Sequence, residues 1–191
     1  MKNANNNPLT ITLSSPDAIR FVDPQTKSQA GQAPLWGFVR AISDLIKYTK
    51  LSNDVECVKE IESFLTATEE DVDILIDAMK VVGCKVREHL SQNSMYNFNT
   101  ETSESAKTYP VRFKSPISRK LLFAITIFDT VSFRAYQLRE YQIISHKERA
   151  AIRDEARKLI LRFLNTKHKS VKDLTSTLVD FKKNDRLAKT A

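Results

Sequence analysis

Residues 109–123, "YPVRFKSPISRKLLF", read as a short strand running straight into a helix. Val111 and Phe113 are apolar, Arg112 and Lys114 are basic, and the four alternate. Alternation sends the two kinds to opposite faces of a strand. Ser115 then stands where a helix N-cap belongs, and Pro116 stands at the first helical position. The strand therefore turns a cationic face outward just before an apolar helix. What this strand pairs with decides the fold.

A second unit of the same kind lies near the N-terminus. Leu9, Ile11 and Leu13 alternate with Thr10, Thr12 and Ser14, and Ser15-Pro16 follows. The spacing predicts a half-buried strand and a second Ser-Pro corner. The two strands are expected to form a two-stranded antiparallel ribbon. The partner of 110–114 is either 9–14 of the same chain or the same strand of a second subunit, which would make a homodimer.

Helical spacing accounts for most of what remains. After a loop at 23–34, apolar residues from Leu35 to Ile46 mark one helix. A second is expected near 54–66, with Asn53 and Glu56 placed as a capping box. A third is expected after Thr68, with Glu69, Glu70 and Asp71 in its first turn, running to about Leu90. The polar stretch 91–107 reads as a connecting loop. The helix over 116–142 is apolar on most sides, with Phe123, Ile127 and Phe133 widening its stripe, which marks it as central. Asp129 inside it needs a partner, either Arg134 or a backbone amide. Ser145 and Glu148 fit a capping box that opens a basic helix over 145–164, and a short last helix fits 171–183.

The predicted fold class is mainly α with a short two-stranded β-ribbon: a ribbon–helix–helix-like core with additional N-terminal helices. The chain divides into a disordered N-terminus (1–8), an acidic helical half with one strand (9–106), a basic strand–helix–helix half (107–183) packed with it as one domain, and a basic tail (184–191). Charge draws the same division. Residues 1–106 hold 10 Lys/Arg against 15 Asp/Glu, a net of −5, whereas 107–191 hold 20 against 8, a net of +12. Such polarity suggests a polyanion partner for the second half, a soluble basic surface, or docking on the chain's own acidic half.

Composition is that of an ordinary globular chain of 191 residues. Two cysteines make no disulfide framework, and a cytoplasmic setting is the simple reading. No signal peptide is expected at the N-terminus. The run 121–133 contains Asp129 and reads as a buried helix rather than a membrane span. His89, His146 and His168 show no metal-ligand spacing, and there is no glycine-rich phosphate loop. The sequence therefore predicts no enzyme, no cofactor, no metal and no small-molecule substrate.

The order strand, helix, helix across 110–164 is that of a ribbon–helix–helix DNA-binding unit. An antiparallel ribbon fits the major groove of double-stranded DNA, where outward Arg and Lys reach base edges. Free N–H groups at a helix N-terminus hold a backbone phosphate. On this reading Arg112 and Lys114 contact bases, while Ser145, Lys147, Arg149 and Arg153 anchor phosphates. The alternative is that Arg112 and Lys114 guard an exposed strand edge against aggregation.

The stretch "YPVRFKSPISRKLLFAITIFDTVSFRAYQLREYQIIS" also resembles the central segment of the AcaB-like proteins of integrating conjugative elements and conjugative plasmids. The likeness rests on Phe113 and Pro116 at the step into the helix, on Asp129, on Arg134 and Arg139, and on the helix after Ser145. "LTITLSSPDAIRFVD" and "LWGFVRAISDLI" resemble the family's first strand and the helix that follows. The chain departs from many relatives at "LSNDVECV". The resemblance implies a bacterial DNA-binding regulator of conjugation genes with ribbon–helix–helix-like features, and the function expected here is activation of conjugative transfer genes. The other function considered is a protein-interaction or non-specific DNA-binding accessory factor of the conjugation machinery.

Overall fold

A computed structural model describes residues 9–23, 35–95, 106–111 and 115–190, the last stretch by backbone alone from 175 onward. Segments 1–8, 24–34 and 96–105 lie outside the described residues. So do Arg112, Phe113 and Lys114.

Strand β1 (Leu9–Leu13) leads into the short helix α1 (Pro16–Val22). Helices α2 (Leu35–Leu51) and α3 (Val55–Gln92) follow, then strand β2 (Lys107–Val111) and helices α4 (Pro116–Glu140) and α5 (His146–Thr190). β1 and β2 pair antiparallel within the chain, in the register Leu9↔Val111, Ile11↔Tyr109 and Leu13↔Lys107. No second subunit is needed to complete the ribbon. The paired part of β2 begins three residues earlier than alternation around Arg112 suggests, because Leu13 pairs with Lys107. Pro110 is tolerated because both strands of a two-stranded sheet are edges.

Both strands end in the same corner. Ser15 caps α1 by accepting from the Ala18 amide at 3.1 Å, and Ser115 caps α4 by accepting from the Ser118 amide at 3.1 Å. Proline occupies the first turn of each helix. The preset φ of proline and the serine oxygen make these corners local, sequence-encoded features.

Two helices are longer than spacing predicts. The segments expected as 54–66 and 68–90 form one helix of 38 residues, capped by Asp54 rather than Asn53. No glycine or proline interrupts the chain at Thr68, so nothing stops the helix there. Glu69 and Asp73 instead pair with Lys120 of α4, each at 2.8 Å, and Asp71 pairs with Lys167 of α5. The segments expected as 145–164, 171–183 and a tail likewise form one helix of 45 residues. Its polar middle, "NTKHKS", lacks a breaker.

α4 is the central helix, packed on α3, α5 and α1. By length and composition it would pass as a membrane span, but 56% of its most apolar window is buried in this structure, as in a core helix. Phe123 departs from expectation: it is 52% exposed, while Ile127 and Phe133 are half-buried. α4 closes in a Schellman turn. The Ile143 amide donates to the Leu138 carbonyl at 2.9 Å, the Gln142 amide donates to the Arg139 carbonyl at 2.9 Å, and Gln142 takes φ 58°. The helix therefore stops at Glu140, and the chain turns into the Ser145 cap.

One hydrophobic core draws on both halves of the chain. Phe38 of α2 meets Phe163 of α5 edge-on with centroids 5.7 Å apart, and Phe21 of α1 meets Phe128 of α4 at 5.6 Å. Asp129 is 7% exposed and joins α4 to the ribbon's exit. Its carboxylate accepts from the Ser14 amide at 3.0 Å and from the Ser15 amide at 2.6 Å. Backbone amides, one of the two partner types expected, satisfy it.

Candidate nucleic-acid interface

The ribbon has two unlike faces. Ile11 and Leu13 are buried and Tyr109 is half-buried. The Tyr109 hydroxyl donates to Asp23 at 3.3 Å, and burial, then the Asp23 carboxylate, pushes its phenol up. The outward row is Thr10, Thr12, Thr108 and Pro110, all exposed. Thr12 and Thr108 face each other across the strands, their hydroxyls 3.0 Å apart. This row of hydroxyls was not singled out by sequence reasoning, although the Thr–Ile–Thr alternation signals it. Arg112 and Lys114 follow it in sequence and lie outside the described residues.

At the start of α5 the capping box forms as spaced. The Ser145 amide donates to Glu148 at 2.7 Å, and the Glu148 amide donates to the Ser145 hydroxyl at 3.1 Å. A phosphate at this end would have to displace that carboxylate or use the amides of His146 and Lys147. The Ser145 backbone bond, then the Ser145 side chain, holds the Glu148 carboxyl below the usual carboxylate range. A depressed folded-state pKa stabilises above the unfolded value and is lost as pH falls through the folded one. Protection of the first-turn amides of α5, measured as the exchange rate relative to the unstructured rate at the same pH, is therefore expected to fall as pH drops below the ordinary carboxylate range. Glu148→Gln should abolish that acid dependence.

The three remaining candidate phosphate anchors differ in situation. Lys147 is exposed. Arg149 is half-buried, its guanidinium 5.3 Å from the centre of the Tyr136 ring. Arg153 is half-buried and bonded to Asp154 at 2.8 and 3.0 Å.

A row of cations, of which the sequence pointed only to Lys147, runs along α5. Lys147, Lys158, Arg162 and Lys169 are exposed and make no ion pair among the described residues. At 3.6 residues per turn they fall within roughly 60° of one another around the helix and extend over about 33 Å. Spacings of 11, 4 and 7 carry that signal, but it can be read only once the helix is known to be continuous. Other cations of the basic half are neutralised inside the molecule: Lys107 pairs with Asp23 at 3.4 Å, and Lys120 and Lys167 pair with acids of α3. Part of the charge polarity thus does serve docking between the chain's own halves.

A groove of about 490 Å³ lies between α3 and α4. Val86, Phe123 and Ile127 line it, with Lys80, Arg87 and Arg134 around them. Cys57 and Cys84 are free thiols, and no metal-binding cluster of His, Cys, Asp or Glu occurs among the described residues.

No family model and no curated protein matches the chain. Among solved structures, the crystal structure of selenomethionine-containing AcaB from uropathogenic E. coli is similar in fold, with a TM-score of 0.70. The match has 12% sequence identity and covers 94% of this chain and 86% of that one.

Proposed function

We propose that this protein is a cytoplasmic bacterial DNA-binding regulator of the AcaB-like kind, an activator of conjugative transfer genes, and not an enzyme. The observation that carries the reading is the ribbon completed within one chain. Its outward row of threonine hydroxyls leads in sequence to Arg112 and Lys114. A two-stranded ribbon suits the major groove, with Arg bidentate to guanine the commonest specific contact. The exposed row Lys147, Lys158, Arg162 and Lys169 supplies phosphate contacts. The family resemblance and the AcaB-like fold support the same reading, and the doubled strand–Ser-Pro–helix unit favours a ribbon–helix–helix mode of docking.

With roughly six to eight phosphate contacts, log K against log salt should slope about −5 to −7. Arg112→Ala should cost about 1–3 kcal/mol on the specific site and relax base preference. Lys147→Ala should weaken all sequences alike. Equal losses for Arg112→Ala on specific and random DNA would remove the base-reading role. A discrete protected site in footprinting on promoters of transfer genes separates regulation from non-specific DNA binding.

The α3–α4 groove favours a second reading, an interaction module for an acidic protein partner. Its signature is a retained complex with such a partner and no DNA shift at moderate salt.

A further inference from the structure

Ser15 and Asp17 of the β1–α1 corner, Ser132, Phe133 and Tyr136 of α4, and Arg149 of α5 line a cavity of about 250 Å³. We propose that this cavity binds a small zwitterion, carrying one carboxylate and one ammonium, of the size of a free α-amino acid. The inference is independent of DNA binding.

The first reason is an orphaned hydroxyl. Ser132 is 6% exposed, and its Oγ is buried with no hydrogen-bond partner among the described residues. A helical hydroxyl commonly bonds back to the carbonyl four residues earlier. Thr126 and Thr130 of the same helix do so, at 3.1 and 3.0 Å. Ser132 does not, and a buried donor without an acceptor costs free energy. A bound carboxylate would supply the acceptor.

The second reason is charge. Arg149 makes no ion pair among the described residues and lies over Tyr136. Its planar fork suits a carboxylate. Asp17 lines the same cavity and, among the described residues, pairs only loosely with Arg20 at 3.9 Å and not with Arg149. A pure anion would meet the Asp17 carboxylate, and a pure cation would meet the Arg149 guanidinium. A zwitterion satisfies both. Phe133 and Tyr136 offer an apolar wall for a modest side chain. The volume is below the roughly 300–1,000 Å³ of sites for drug-sized ligands.

The third reason is position. Ser132 follows Asp129 by one helical turn on the same face of α4, and Asp129 holds the Ser14 and Ser15 amides. An occupant would brace the corner where the ribbon leaves β1.

The test is a thermal-shift and calorimetric screen of the full chain against the common L-amino acids, with acetate and ethylammonium as half-charged controls. At least one amino acid is expected to give a saturable shift that neither control reproduces. Arg149→Met and Asp17→Asn should each weaken binding by about tenfold or more, and Ser132→Ala by several-fold. Each variant is compared with its own unliganded midpoint, so lost stability does not mimic lost binding. If Arg149→Met does not fold, Arg149→Lys should still weaken binding by breaking the fork. On binding, the Ser14, Ser15 and Ser132 amide resonances should move. The proposal is overturned if no amino acid binds, if acetate alone gives the same shift, or if the three variants bind as the parent does.

Discussion

Replacing Asp129 by alanine is expected to lower the stability of the fold by about 2–5 kcal/mol. The carboxylate is buried and accepts from two successive amides at the exit of β1. Neither amide has another acceptor among the described residues once the carboxylate is gone, and each stranded donor costs about 1–3 kcal/mol. The loss is structural as well as energetic, because this contact ties the ribbon to the central helix across 115 residues of sequence. Asp129→Asn keeps a carbonyl oxygen for these amides and should lose less. Urea unfolding of the two variants measures both effects. A loss within error for Asp129→Ala would mean that the corner is held by its serine cap and packing alone.

Phe38→Ala should cost about 3–5 kcal/mol, the range for removing a fully buried aromatic ring. Phe38 is completely buried, and its ring meets Phe163 at an interplanar angle of 79°. It belongs to the acidic half and Phe163 to the basic half, so the cavity would open where the halves join. The denaturation midpoint should fall while Trp36 fluorescence and far-UV circular dichroism keep reporting one transition. Separate transitions would show that the halves do not share a cooperative core.

Features settled between near neighbours were legible in the chain. The alternation of Leu9, Ile11 and Leu13, both Ser-Pro corners and the Ser145–Glu148 box each depend on a few consecutive residues. The ribbon pairing was legible as one of two options, since alternation names strands but not which copy of a strand they meet. Helix length was less so. Thr68 and the polar run near 165–170 look like ends by composition, yet neither holds a glycine or proline. A helix under way continues through polar residues when packing holds it. The acids after Thr68 suit a first turn equally well. Only Lys120 and Lys167, distant in sequence, reveal that they face other helices.

The candidate site divides along the same line. Sequence placed cations near the start of α5, but it could not tell Lys147, held in solvent, from Arg149, drawn over Tyr136. That distinction depends on which face of α5 meets α4. By itself the sequence determined two strands with Ser-Pro corners, a central apolar helix with one buried acid, and a basic second half. Those follow from hydrophobic period, capping chemistry and charge count, which act over a turn or two. Tertiary structure alone decided that the ribbon closes within one chain, that Asp129 locks its corner, and which cations are paired with acids among the described residues. Pairing, burial and ion-pair partners are set by packing between residues far apart in the chain, which no local pattern encodes.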